Sequence, residues 1–253
     1  MARPMLATAI GRVEDRLARS GLGPGHRGYR RFVIVTRART GSNLLVSLLN
    51  SHPQIDARGE LLGELKGETV EARLGRIFGR KPRRVRAVGF KVFYYHPLDD
   101  PAAPVWVRLR AIADLHVVHL KRRNVLRTLT SRKLAGSTNV WLDRGRPGSV
   151  VDKPVVRFSA HELERAFTQN EAWEAACDRD FRDQRRLELT YEDLVSGPAL
   201  LDEVTAFLGV DAQPLRTTLH RQNPEPLSAL IADFDELRQK FRRTRWSAFF
   251  DEP

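Results

Sequence analysis

Residues 32–45 read FVIVTRARTGSNLL. The β-branched run that begins one residue earlier, RFVIVT at 31–36, has the length and composition of a buried strand. RARTGSN, at 37–43, is a polar turn containing Gly41. The apolar segment LLVSLLN that follows stops before His52 and Pro53 and reads as a helix. Strand, tight loop and helix in that order open an α/β fold. A buried strand that turns through a glycine into a helix points several free backbone N–H groups, and the positive end of the helix dipole, at one spot. That spot suits an anion. Arg39 adds a positive charge, and Thr40, Ser42 and Asn43 add short donors. The loop is not a Walker A sequence, because no lysine follows Gly41.

The same alternation continues outward. VRAVGFKVFYY (85–95) and DLHVVHLK (114–121) read as strands, and the second leads into a helical segment, RNVLRTLTSRKLA. Residues 136–158 carry Gly, Pro and mixed charges without a period, so a long mobile loop, a lid candidate, is expected there. Ser159 with Glu162 fits a capping box, followed by Leu163, Ala166, Phe167, Trp173, Cys177 and Phe181 at helical spacing as core. LELTYEDL (187–194) reads as a short strand and turn; Pro198 then opens an amphipathic helix with Leu201, Val204, Phe207 and Leu208 inward, stopped by Gly209. The expectation is one α/β domain over 31–253, a mostly parallel sheet flanked by helices, preceded by an amphipathic helical lead-in within residues 1–30 that ends in GLGPGHRG.

Composition narrows the partners. A net charge of +12, from 43 Lys and Arg against 31 acids, attracts polyanions: nucleic acid, anionic lipid or a multiply charged nucleotide. The densest basic stretch is RLGRIFGRKPRRVR at 73–86, either a solvated loop or a binding surface. The single cysteine, Cys177, excludes an intramolecular disulfide and a cysteine-rich zinc site, and no His/Asp/Glu cluster has metal-ligand spacing. The apolar run MLATAI near the start is too short for a signal peptide or a membrane span, so a soluble cytoplasmic protein is expected.

The anion loop gains a partner at the second strand-to-helix junction, VVHLKRRNVLRTLTSRKLA at 117–135. Arg123 closes the strand, Ser131 lies eight residues on, and Lys121, Arg122 and Arg127 strengthen the positive field. Two anion sites at the ends of neighbouring parallel strands suit a nucleotide charged at both its 5' and 3' ends.

These two blocks resemble the PAPS-dependent sulfotransferases, where PAPS is 3'-phosphoadenosine-5'-phosphosulfate and PAP the bisphosphate it leaves behind. In this sequence Arg39, Thr40, Gly41, Ser42 and Asn43 match the family's 5'-phosphosulfate loop, and Arg123 with Ser131 match its 3'-phosphate pair. YEDLVSGPALLDEVTAFLGV (191–210) is similar to a third block, so the resemblance spans most of 31–210. It implies a P-loop-like sulfotransferase fold, PAPS as co-substrate without a metal, and a hydroxyl-bearing acceptor. The arginine-containing loop followed by HPQIDARGELL is closer to the bacterial and carbohydrate branch, which includes nodulation-factor and trehalose sulfotransferases. That branch implies a carbohydrate, glycolipid or small natural product as acceptor, and Glu60 as the base. Asp56 and Glu64 lie close to Glu60, His96 is the alternative base, and Lys91 is placed to neutralise charge on the transferring group. The competing readings are a nucleic-acid-binding protein and a degenerate P-loop kinase requiring ATP and magnesium.

Overall fold

A computed structural model of the protein describes residues 25–138, 154–197, 199–219 and 225–251. Among them, five strands form one all-parallel sheet: β2 (Arg30–Thr36), β3 (Ile55–Arg58), β5 (Ala87–Phe93), β6 (His116–Lys121) and β7 (Arg185–Thr190), in spatial order β3-β5-β2-β6-β7. A two-stranded antiparallel pair, β1 (Gly25–His26) with β4 (Lys81–Pro82), sits apart from it. The strand run read from 31–36 is therefore the centre of the sheet.

The alternation of side chains along β2 explains why that run is apolar throughout. Val33 and Val35 face one layer with Val88, Phe90, Val92, Val117, Cys177 and Phe181. Phe32 and Ile34 face the other, with Leu45 and Leu49 of α1 (Ser42–Asn50) and with Val204 and Leu208 of α7 (Ala199–Leu208). The first layer also holds α2 (Val70–Ile77), α3 (Val105–Arg110) and part of α5 (Ala160–Asp180). Gly89 belongs to this packing: a side chain there would run into the Phe32 ring and carbonyl across the β2–β5 ladder.

A third cluster joins α4 (Val125–Thr138) and α5 to α8 (Leu227–Leu230), α9 (Phe234–Phe241) and the 3-10 turn Ser247–Phe250, around Leu126, Phe167, Phe241, Trp246 and Phe250. Asn124 ties the start of α4 to this cluster by donating to the Phe249 carbonyl at 3.0 Å.

Several elements differ from the sequence expectation. The tetrapeptide Ile55–Arg58, to which the sequence reading assigned no element, is an edge strand, held by the buried Lys81 ammonium 2.6 Å from Asp56. The presumed turn after Leu189 is a short helix, α6 (Tyr191–Ser196), capped by the Thr190 hydroxyl on the Asp193 N–H. Part of the basic stretch is regular structure, in α2 (capped by Thr69) and in β4 with Lys81, and Arg83, Arg84 and Arg86 are exposed. Arg73 donates to the Leu61 and Leu65 carbonyls, while at the exposed surface Arg76 pairs with Glu68, Arg80 donates to the Gly25 carbonyl and Arg86 pairs with Asp211. Residues 136–138 of the expected mobile loop complete α4, Val156 within its described end at 154–158 bridges to Ile231, and 139–153 lies outside the described residues. So does 1–24 of the expected helical lead-in, while 25–26 are strand. No described helix is long and apolar enough to cross a membrane.

Candidate active site

The carboxyl ends of β2, β5 and β6 open into one cleft of about 1030 Å³. This is where α/β sheets receive ligands, beside the strand at which the chain changes direction across the sheet. Arg39, Gly41, Ser42, Asn43, Glu60, Lys91, His96 and Ser131 all line it; Thr40 and Arg123 do not.

The loop is shaped by two left-handed residues, Arg39 (φ 70) and Gly41 (φ 82). Thr36 donates to the Leu120 carbonyl at 2.6 Å and Thr40 to the Arg37 carbonyl at 2.9 Å, with the two hydroxyl oxygens 2.5 Å apart. The Thr40 hydroxyl thus faces inward and locks the loop to β6, leaving that residue's backbone as its means of meeting a ligand. Gly41 is the N-cap of α1 and supplies no side-chain cap, so the first-turn N–H groups are presented to the cleft. The Tyr191 ring lies against Gly41, where a Cβ would overlap it, and the Arg122 guanidinium sits 4.5 Å above that ring. Arg122 also donates to the Arg39 carbonyl at 2.9 Å. Tyr191 was read from sequence only as part of a structural block; its aromatic ring directly after a strand is the signal that it belongs to the site.

The two cofactor blocks meet through Arg39, whose Nε donates to Ser131 Oγ at 2.9 Å. Arg123 points elsewhere: its guanidinium bonds Asp193 at 2.5 Å and its backbone N–H bonds Glu192 at 3.0 Å. Arg122, Arg127 and Arg132 line the cleft in addition to Arg39 and Lys91. Lys121 does not, being bonded to Asp178 (3.3 Å) and Glu188 (2.8 Å). Those two acids and His119 form the one cluster among the described residues with metal-ligand geometry, and the Lys121 ammonium already joins its carboxylates.

Of the three carboxylates near the expected base position, only Glu60 reaches the cleft. Asp56 is paired with Arg58 and Lys81, which hold its carboxyl down to about 2 against the opposing effect of burial, and Glu64 pairs with Lys66 at the surface. Glu60 follows β3, and Lys91 of β5 stands between it and the loop: its ammonium is 2.9 Å from Glu60 Oε1 and 2.5 Å from Asn43 Oδ1. His96 faces the other oxygen, with Nε2 3.9 Å from Glu60 Oε2. Its Nδ1 accepts the Phe93 N–H at 3.2 Å, so the proton of the neutral ring sits on Nε2. Burial, stronger than the opposing pull of Glu60, pushes its pKa down to about 4.

A P-loop kinase would bring its phosphate-facing lysine from the loop itself. Here the lysine comes from the neighbouring strand and faces a carboxylate, beside an anion loop that ends a central parallel strand; the class of protein is an α/β one with its anion cleft at the carboxyl ends of the central strands. The chain is 32% identical over 244 residues to nodulation protein H of Rhizobium tropici, covering 87% of this chain and 92% of that protein. It is 29% identical over 238 residues to nodulation protein H of Rhizobium meliloti, covering 88% of this chain and 95% of that protein. The chain belongs to the nodulation protein H family. No family model matches it. Among solved structures, mouse sulfotransferase SULT7A1 complexed with PAP aligns over 87% of this chain and 88% of its own, at 13% identity and a TM-score of 0.41.

Proposed function

We propose that the cleft binds PAPS and passes its sulfuryl group to an acceptor hydroxyl positioned at Glu60. The observation that carries this reading is the chain Glu60–Lys91–Asn43, which sets one carboxylate beside the N-terminus of α1 through a single buried lysine. The 5'-phosphosulfate lies on the N–H groups of residues 41–43, between Arg39 and Lys91. Glu60 takes the acceptor proton, an oxygen lone pair forms the new O–S bond, and the S–O bond to the 5'-phosphate breaks to release PAP. Lys91 and the helix N-terminus stabilise the charge that moves onto the sulfuryl oxygens and the leaving phosphate. No step in this sequence requires a metal ion.

Ser131 and Arg123 are assigned to the 3'-phosphate, with Arg123 exchanging Asp193 for the ligand. The apolar wall of Leu44, Leu48, Leu194, Val195 and Leu201 beside Tyr191 suits the adenine. On the Glu60 side the cleft is bounded by Tyr95, His96 and Leu98, a platform that fits a sugar ring, in line with the carbohydrate-branch motif. The single cysteine and the absence of a membrane-spanning helix among the described residues are consistent with work in the cytoplasm.

Glu60→Gln tests the assignment. Turnover should fall roughly 10²-fold, the usual scale for loss of a general base, while PAP affinity by titration calorimetry stays unchanged. Normal turnover would remove Glu60 from the mechanism. In the same assay Arg123→Ala should weaken PAP far more than adenosine-5'-phosphosulfate, which lacks the 3'-phosphate; equal weakening would place Arg123 elsewhere.

A further inference from the structure

His96 has a property that the transfer scheme above leaves unused. Its side chain is 1% exposed, and Nε2 is a buried polar atom with no hydrogen-bond partner. A buried N–H left unpaired is costly, so such a group is kept where an incoming partner will satisfy it. The atom it faces is Glu60 Oε2, at 3.9 Å, too far for a direct hydrogen bond. An oxygen about 2.8 Å from each atom would span that separation.

We propose that His96 donates its Nε2–H to the oxygen of the acceptor and thereby makes the site select hydroxyls over amines. This rests on the reading of Glu60 as the base. A hydroxyl oxygen has two lone pairs and one proton. The proton goes to Glu60 Oε2, one lone pair attacks sulfur, and the second accepts from His96. An amine nitrogen has a single lone pair, which the attack uses. It would turn an N–H against the His96 N–H and leave that donor buried and unsatisfied. The tautomer fixed by the Phe93 N–H is what makes the imidazole a donor here, and it also prevents Nε2 from acting as the base.

The test measures PAP release from PAPS with two small nucleophiles, glycerol and methoxyamine, the second being unprotonated at neutral pH. His96→Phe should lower the glycerol rate about 10-fold, the scale of one hydrogen bond in a buried site, and leave the methoxyamine rate within about twofold by the same argument. PAP affinity should not change. His96→Gln, which restores an N–H donor, should recover most of the glycerol rate. An equal fall with both nucleophiles, or no fall with glycerol, overturns the proposal. A measurement that needs no turnover stands beside it: ¹⁵N spectra of the wild-type histidines should show His96 protonated on Nε2, and an Nδ1-protonated ring overturns the proposal. Failure of the wild-type protein to bind PAP would instead overturn the cofactor reading, and is distinguished from these outcomes by calorimetry.

Discussion

Gly41→Ala is a one-carbon change whose effect can be worked through atom by atom. The backbone at Gly41 is left-handed, φ 82 and ψ 12, which an alanine adopts at a cost of about 1 kcal/mol. The new Cβ would also overlap Tyr191 Cδ2, so the ring has to shift. Displacing that ring separates it from the Arg122 guanidinium, 4.5 Å away, a contact worth about 0.5–1 kcal/mol. It also strains the Arg122 hydrogen bond to the Arg39 carbonyl, worth about 1.5–3 kcal/mol because the donor is charged. The sum, about 3–5 kcal/mol, falls on the loop that presents the anion donors. PAP affinity should therefore drop by roughly 10²-fold or more, read by titration calorimetry on protein shown to be folded by circular dichroism. PAP binding by Gly41→Ala at the wild-type affinity would refute the reasoning.

Gly75, inside α2, has nothing within 4 Å of a prospective Cβ, so Gly75→Ala should raise stability by about 0.5–1 kcal/mol without touching activity; a loss in urea melts would contradict the open geometry. Asp56→Ala leaves Lys81, only 3% exposed, without its carboxylate and should cost about 3 kcal/mol in the same melts; a cost under about 1 kcal/mol would show that the pair does not hold β3. Burial lowers His96 and His119 from 6.5 to about 4, so between those values the unfolded chain binds more protons than the folded one. Stability should accordingly fall as pH drops through that window and level off below it, with a second loss as Asp56 protonates between 3.8 and about 2. A melting temperature that is flat from pH 7 to pH 4 would contradict the burial of the two rings.

What the sequence made legible follows from local physics. The β2 run, Gly41 and α1 are adjacent in the chain, and both faces of β2 are covered, so composition and a single glycine were enough to read them. The Ser159 cap on the Glu162 N–H and the inward Phe167, Cys177 and Phe181 are local in the same sense. Ile55–Arg58 was missed because four residues carrying Asp and Arg look like loop until Lys81, 25 residues on, neutralises the acid. The Lys91 contact with Asn43 spans 48 residues, and the tautomer of His96 depends on one backbone N–H; neither leaves a mark in spacing or composition. The orientation of Arg123 toward Asp193, a pairing across 70 residues, was invisible for the same reason. For the basic stretch, charge in the sequence does not show which cations pair locally, as Arg73 does with the Leu61 and Leu65 carbonyls, and which face solvent, as Arg83 does.

The aromatic cluster that binds α4 to the turn at 247–250 has a kinetic meaning. The loop after β2 has a local bond of its own, Thr40 to the Arg37 carbonyl, whereas the helix carrying Ser131 is anchored through a bond between residues 125 apart in sequence. Long-range closures are slow to form, and a unit that packs outside the central sheet can open before the sheet does. Amide exchange should then find the Ser131 side of the cleft opening as a unit with the segment around Phe241, Trp246 and Phe250 while β2 stays protected. If the proposed cofactor placement holds, the protein in that partly open state would still hold a nucleotide by its 5' end but would have lost the means to tell a bisphosphate from a monophosphate.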